Sequence, residues 1–149
     1  MEKSIRKVIY DFTPKSGLIC IENTFNGRAV KIEYMKNIYD LAHKYNIPVH
    51  LDGARVFNAA VALGIEVSEI AQYADSVSFC LSKGLCCPIG SILVGTKEFI
   101  TLAKRYRKMI GGTLRQSGVL GGPGIIALTE QRFLLKKDHE FAKKFYTIL

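Results

Sequence analysis

Residues 76–95 read SVSFCLSKGLCCPIGSILVG. Two apolar runs, SVSFCL (76–81) and GSILVG (90–95), have the composition of buried β-strands and flank a single lysine, Lys83, with glycine directly behind it. Lysine is among the residues least often buried, because removing an ammonium from water is costly. A lysine pinned between two buried strands either reaches solvent along its own stem or is used for chemistry.

Outward from this stretch, short apolar runs alternate with helical spacing. GLICIEN (17–23) and VHLDG (49–53) read as further strands. EYMKNIYDLAHKYN (33–46) places apolar residues at 34, 35, 38, 41, 42 and 45, the period of a helix. ARVFNAAVALG (54–64) reads as a short amphipathic helix ended by Gly64, and SEIAQYA (68–74) as another opened by Ser68 as N-cap. Beyond the fourth strand come a helix over 97–110, a glycine-rich link over 111–124 and a long final helix over 125–149. Strand–helix–strand alternation with buried strands predicts an α/β fold with a mainly parallel sheet and flanking helices, 91–95 being the strand free to run antiparallel at one side. Ligands of such sheets bind outside the carboxyl ends of the strands, which brings Asn23, Asp52 and Lys83 to one edge.

Composition narrows the classes. The 149 residues are 48% hydrophobic and 23% charged, ordinary for one globular domain. No apolar stretch approaches the roughly 20 residues that span a bilayer, and the start lacks the pattern of a secretory signal. The net charge of +8 sits largely in KSIRK (3–7), KRYRK (104–108) and the lysine pairs at 136–137 and 143–144. Without an interleaved aromatic platform these read as solvated helix faces, so no nucleic-acid partner and no membrane partner is expected. The four cysteines, at 20, 80, 86 and 87, show no metal-ligand spacing, and Cys20 and Cys80 fall inside apolar runs where a free thiol acts as a small hydrophobe. The expectation is a reducing cytoplasm, no disulfide and no metal.

The chemistry concentrates in HLDGAR and LSKG. Asp52, at the end of an apolar strand, either caps the following helix or meets a cation. Arg55, three residues on, either pairs with Asp52 or waits for a ligand carboxylate. A lysine at a desolvated strand end has its amine shifted toward the neutral, nucleophilic form. One lysine and one carboxylate are what pyridoxal phosphate needs, the first for its aldehyde and the second for its pyridine nitrogen.

ENTFN (22–26), HLDGARVFNAA (50–60), CLSKGLCCPIGS (80–91) and IGGTLRQSG (110–118), in this order, resemble the middle of the low-specificity threonine aldolases, β-eliminating lyases among the fold-type-I enzymes that use pyridoxal 5'-phosphate. The likeness runs from residue 17 onward. It implies cleavage of L-threonine and L-allo-threonine to glycine and acetaldehyde through a Schiff base on Lys83. Asp52 is then the pyridine-nitrogen partner, and Arg55 lies near cofactor and substrate carboxylate. Arg115, otherwise readable as a loop ion pair, lies close to the active site. Asn23 and Phe25 border the substrate, and a homo-oligomer, dimer or tetramer, completes each site.

The departures are specific. Phe25 stands where the family usually has a histidine contacting the hydroxyl side of the substrate, and Cys86 where it has a small residue. Family members are more than twice as long, so residues 1–149 match only part of the cofactor-binding large domain, without the amino-terminal phosphate-loop segment and the small carboxy-terminal domain. Two further readings stay open: a non-catalytic remnant or assembly domain, and another amino-acid lyase or transaminase of the same fold.

Overall fold

The computed structural model describes residues 1–6 and 11–148; Lys7, in the first basic patch, lies outside them. Four strands, β1 (Ile19–Glu22), β2 (Val49–Asp52), β3 (Ser76–Cys80) and β4 (Ser91–Gly95), form one sheet in the order β1-β2-β3-β4. The first three are parallel and β4 runs antiparallel to β3, as the sequence allowed. The helices are α1 (Ile32–Lys44), α2 (Val56–Leu63), α3 (Val67–Ala71), α4 (Lys97–Met109), α5 (Gly121–Ile126) and α6 (Arg132–Ile148). Among the described residues no helix is long and apolar enough to cross a membrane.

Side chains alternate across each strand, so the register sorts the sheet into two faces. Ile21, Val49, Leu51 and Val77 fall on one, where they pack with Met35, Ile38 and Ala42 of α1, Val56, Ala59 and Ala60 of α2, and Ile70 of α3. The other face carries Glu22, His50, Asp52, Ser76 and Ser78. A second cluster, Leu81, Leu85, Cys87, Ala127 and Leu135, seats α6 beneath the loop that follows β3. The turn between α2 and α3 needs Gly64, whose φ of 70° is left-handed.

Several expectations need correction. β4 is not buried: Ile92, Leu93 and Val94 are 37%, 40% and 48% exposed, and the strand is last in the sheet, with none of the described elements pairing with its outer edge. α3 is not opened by Ser68. It begins one residue earlier, and Glu66 caps it in a reciprocal arrangement with Glu69, which satisfies two amide donors where serine satisfies one. The glycine-rich link is partly helical, with a 3-10 turn over Ser117–Leu120 running into α5, and the last helical stretch is interrupted by a π-turn over Ala127–Gln131. Cys20, on the polar sheet face, is exposed, and Cys80 is only half-buried with its sulfur accepting from Ser91 Oγ at 3.6 Å; Cys87 is the buried thiol.

Candidate active site

β2 delivers Asp52 to the carboxyl edge of the sheet, with Glu22 as its register partner on β1 and Ser78 on β3. Its Oδ1 accepts the Ala54 N–H at 3.0 Å, so the carboxylate caps the turn; the helix-capping position itself belongs to Arg55. The strand passes into α2 through Gly53, whose N–H donates to Ser78 O at 2.7 Å. A Cβ at Gly53 would lie 3.0 Å from Val56 Cβ and 3.1 Å from Ser78 O, so a larger residue here would push β2 and β3 apart by a few tenths of an ångström. Arg55 is exposed and makes no ion pair with Asp52.

Lys83 lies three residues past the end of β3, on the strand adjacent to β2. Its loop is held from below. Leu81 N–H donates to Gly90 O at 2.9 Å, Cys87 N–H to Leu81 O at 3.0 Å, and Cys86 N–H to Lys83 O at 2.9 Å, while Leu85 and Cys87 are buried. Gly84 is what allows this seating: a Cβ there would come within 2.8 Å of both Asn58 Oδ1 and Leu135 Cδ2. Lys83 itself is exposed, not desolvated as its apolar flanks suggested, because the buried residues are its neighbours in the turn.

Asn23 also ends its strand at this edge, and its N–H donates to Asp52 O at 3.0 Å. Its side chain, fully buried, is used internally: the amide donates to Val30 O at 3.2 Å and Met35 Sδ at 3.4 Å and accepts the Val30 N–H at 3.0 Å. Those bonds close a tight loop in which Phe25 and Arg28 exchange backbone hydrogen bonds across Asn26 and Gly27, both at positive φ. Phe25 is left 56% exposed on the rim of a pocket of about 370 Å³ that also includes Glu22 and Tyr34. Arg115 is exposed in the loop before α5; its neighbours Leu114 and Ser117 line a cleft of about 500 Å³ with Leu81, Gly90 and Ser91, at the far end of the Lys83 loop.

The sequence reading passed over His50. Its Nδ1 lies 2.8 Å from Ser76 Oγ and its Nε2 3.4 Å from Ser78 Oγ, two residues behind Asp52 on the same face. The signal was present as polar residues at period two, HLD on one strand and SVS on the next. The edge thus offers an amine with no ion pair among the described residues and a carboxylate with one oxygen engaged, on neighbouring strand ends. That donor set fits pyridoxal phosphate.

The family described as "Beta-eliminating lyase" matches residues 1–149. The low specificity L-threonine aldolase of Escherichia coli (strain K12) is 48% identical over 128 residues, covering 86% of this chain and 38% of that protein. Low-specificity L-threonine aldolase 1 of Arabidopsis thaliana is 45% identical over 135 residues, covering 89% of this chain and 38% of its own length. Among solved structures, a Listeria monocytogenes protein assigned as an L-allo-threonine aldolase superposes on 96% of this chain and 39% of its own, with a TM-score of 0.82 and 26% identity. A Leishmania major threonine aldolase shares the fold at a TM-score of 0.78 and 17% identity, over 95% of this chain and 43% of its own. The chain therefore spans well under half the length of the relatives it matches. Matched from end to end, it belongs to the β-eliminating lyase family.

Proposed function

We propose that this chain is the part of a low-specificity threonine aldolase that carries the cofactor's lysine and its ring-nitrogen carboxylate, serving the cleavage of L-threonine and L-allo-threonine to glycine and acetaldehyde. The observation that supports it most is the ending of two adjacent parallel strands in Asp52 and, just beyond, Lys83. Bound pyridoxal 5'-phosphate supplies an electron sink for the breaking Cα–Cβ bond. Lys83 would be the residue that holds its aldehyde carbon, and Asp52 the carboxylate that would keep a proton on the pyridine nitrogen. Arg55 and Arg115 offer forked donors to phosphate or substrate carboxylate. Asn23 keeps the strand-end loop closed, and Phe25 presents an apolar rim on the substrate side. In this reading residues 1–149 are a partial large domain that works in a dimer or tetramer with the remaining aldolase segments, and the four free thiols suit a reducing cytoplasm.

The test is labelling. Pyridoxal phosphate followed by borohydride is expected to mark Lys83 in preference to the other lysines, and Lys83→Ala to abolish that mark. Asp52→Ala is expected to keep the mark, bind more weakly and leave any turnover almost nil. Label spread evenly over surface lysines overturns the reading. The exposure of Lys83 and of β4 favours one alternative, a non-catalytic assembly domain, which predicts stable association with no preferred lysine.

A further inference from the structure

We infer that Asn58 is a positioning residue for Lys83: anchored to His139 of α6, it holds the backbone of the turn that carries the amine. The inference rests on Lys83 being the residue that takes the cofactor's aldehyde. α2 reads VFNAAVAL over Val56–Leu63, apolar but for Asn58. An amide in the middle of a helix is a poorer helix former than alanine or leucine, and its desolvation has to be met by a hydrogen bond. That bond is made at long range. Asn58 Nδ2 lies 3.2 Å from His139 Nε2, 81 residues on, in a half-buried contact. An amide carries donors at one end and an acceptor at the other, so it can bond this ring nitrogen whether the nitrogen is bare or protonated.

The same amide bears on the Lys83 turn. A Cβ on Gly84 would stand 2.8 Å from Asn58 Oδ1, 3.4 Å from Asn58 Nδ2 and 2.8 Å from Leu135 Cδ2, so Asn58 and Leu135 together take the space over the residue that follows Lys83. Leu135 and His139 stand one turn apart on the same face of α6. His139 is half-buried while Lys136, Lys137, Asp138 and Glu140 around it are exposed. Apolar contact alone lets one helix settle against another in several ways, whereas a directional hydrogen bond selects one. The Asn58–His139 bond therefore sets α6 against α2, and the two helices together set Gly84. Lys83 O accepts the Cys86 N–H at 2.9 Å, so a displacement at Gly84 passes to the stem of Lys83 through a closed turn.

The backbone amide resonances of Lys83 and Gly84, read with nitrogen-15 in the intact chain, test this without cofactor. Both are expected to move in Asn58→Ala and in His139→Leu, and to stay near their wild-type places in His139→Gln, whose amide can still bond Asn58. In the Asn58→Ala background, His139→Leu is expected to move them no further. A second arm reads the amine through pyridoxal phosphate and borohydride. Lys83 is expected to label about fivefold more slowly in His139→Leu, the worth of one neutral hydrogen bond, and at the wild-type rate in His139→Gln. The remaining lysines are expected to label as before. Slowing shared by every lysine marks a structural role and overturns the inference, as do Lys83 and Gly84 resonances indifferent to His139→Leu. Where Asn58→Ala fails to fold, the His139→Leu and His139→Gln pair decides. If the wild-type chain labels no lysine in preference, the functional reading of Lys83 fails, while the resonances still decide whether Asn58 and His139 set its turn.

Discussion

Cys86 carries a φ of 59° in the turn that presents Lys83, a left-handed conformation that a side chain with a Cβ disfavours by about 1–2 kcal/mol. Glycine removes that strain but adds freedom to the unfolded chain, so Cys86→Gly is expected to stabilise the protein by only about 0.5 kcal/mol. Cys86→Val, branched at Cβ, is expected to destabilise by about 2 kcal/mol, both read from denaturant midpoints at unchanged slope. Gly84 is less forgiving. Its missing Cβ is replaced by Asn58 and Leu135, and Gly84→Ala should lower stability by about 2 kcal/mol through overpacking and shift the loop that holds Lys83. The strand-end acid and the strand-end lysine were legible from residue type and position. The exposure of Lys83 was not, because an apolar run signals burial of the run without saying which member of the turn escapes it. His50 was missed for a related reason: its partners lie 26 and 28 residues away, and only register reveals them.

α3 illustrates what capping chemistry contributes to an element of five residues. Glu66→Ala removes an acceptor from the reciprocal cap and is expected to cost about 1 kcal/mol, with amide exchange accelerated in the first turn of α3. α6 depends on tertiary contact. Leu135 is fully buried against the Lys83 loop, and Leu135→Ala should cost about 3 kcal/mol and release the helix, visible as lost ellipticity before global unfolding. Element types and the parallel core followed from periodicity, since a period of two and one of about 3.6 are distinct over these lengths. The boundaries that slipped did so where local chemistry overrode the period. Glycine density suggested a link over 111–124, yet its second half is helical and runs into the π-turn whose Ala127 is buried with Leu81.

For the whole molecule, the outer edge of β4 and the apolar stripes of α4 and α6 dominate behaviour in solution. Ile92, Val94, Phe99, Leu102, Phe141 and Phe145 are all exposed, on a scale that monomeric proteins seldom leave uncovered. Sedimentation is therefore expected to show concentration-dependent self-association, and Val94→Lys to lower the average mass by placing a charge beside the open edge. A mass unchanged in that variant assigns association to the helices. The strand order has a different consequence. Position in the sheet repeats position in the chain, β1 to β4, with no strand inserted between earlier neighbours. During synthesis β2, β3 and β4 therefore each meet a partner that has already left the ribosome, and this sheet grows from one side. A nascent chain stalled after β3 already holds Asp52 and Ser78 in register, whereas the turn beneath Lys83 must await α6 to supply Leu135.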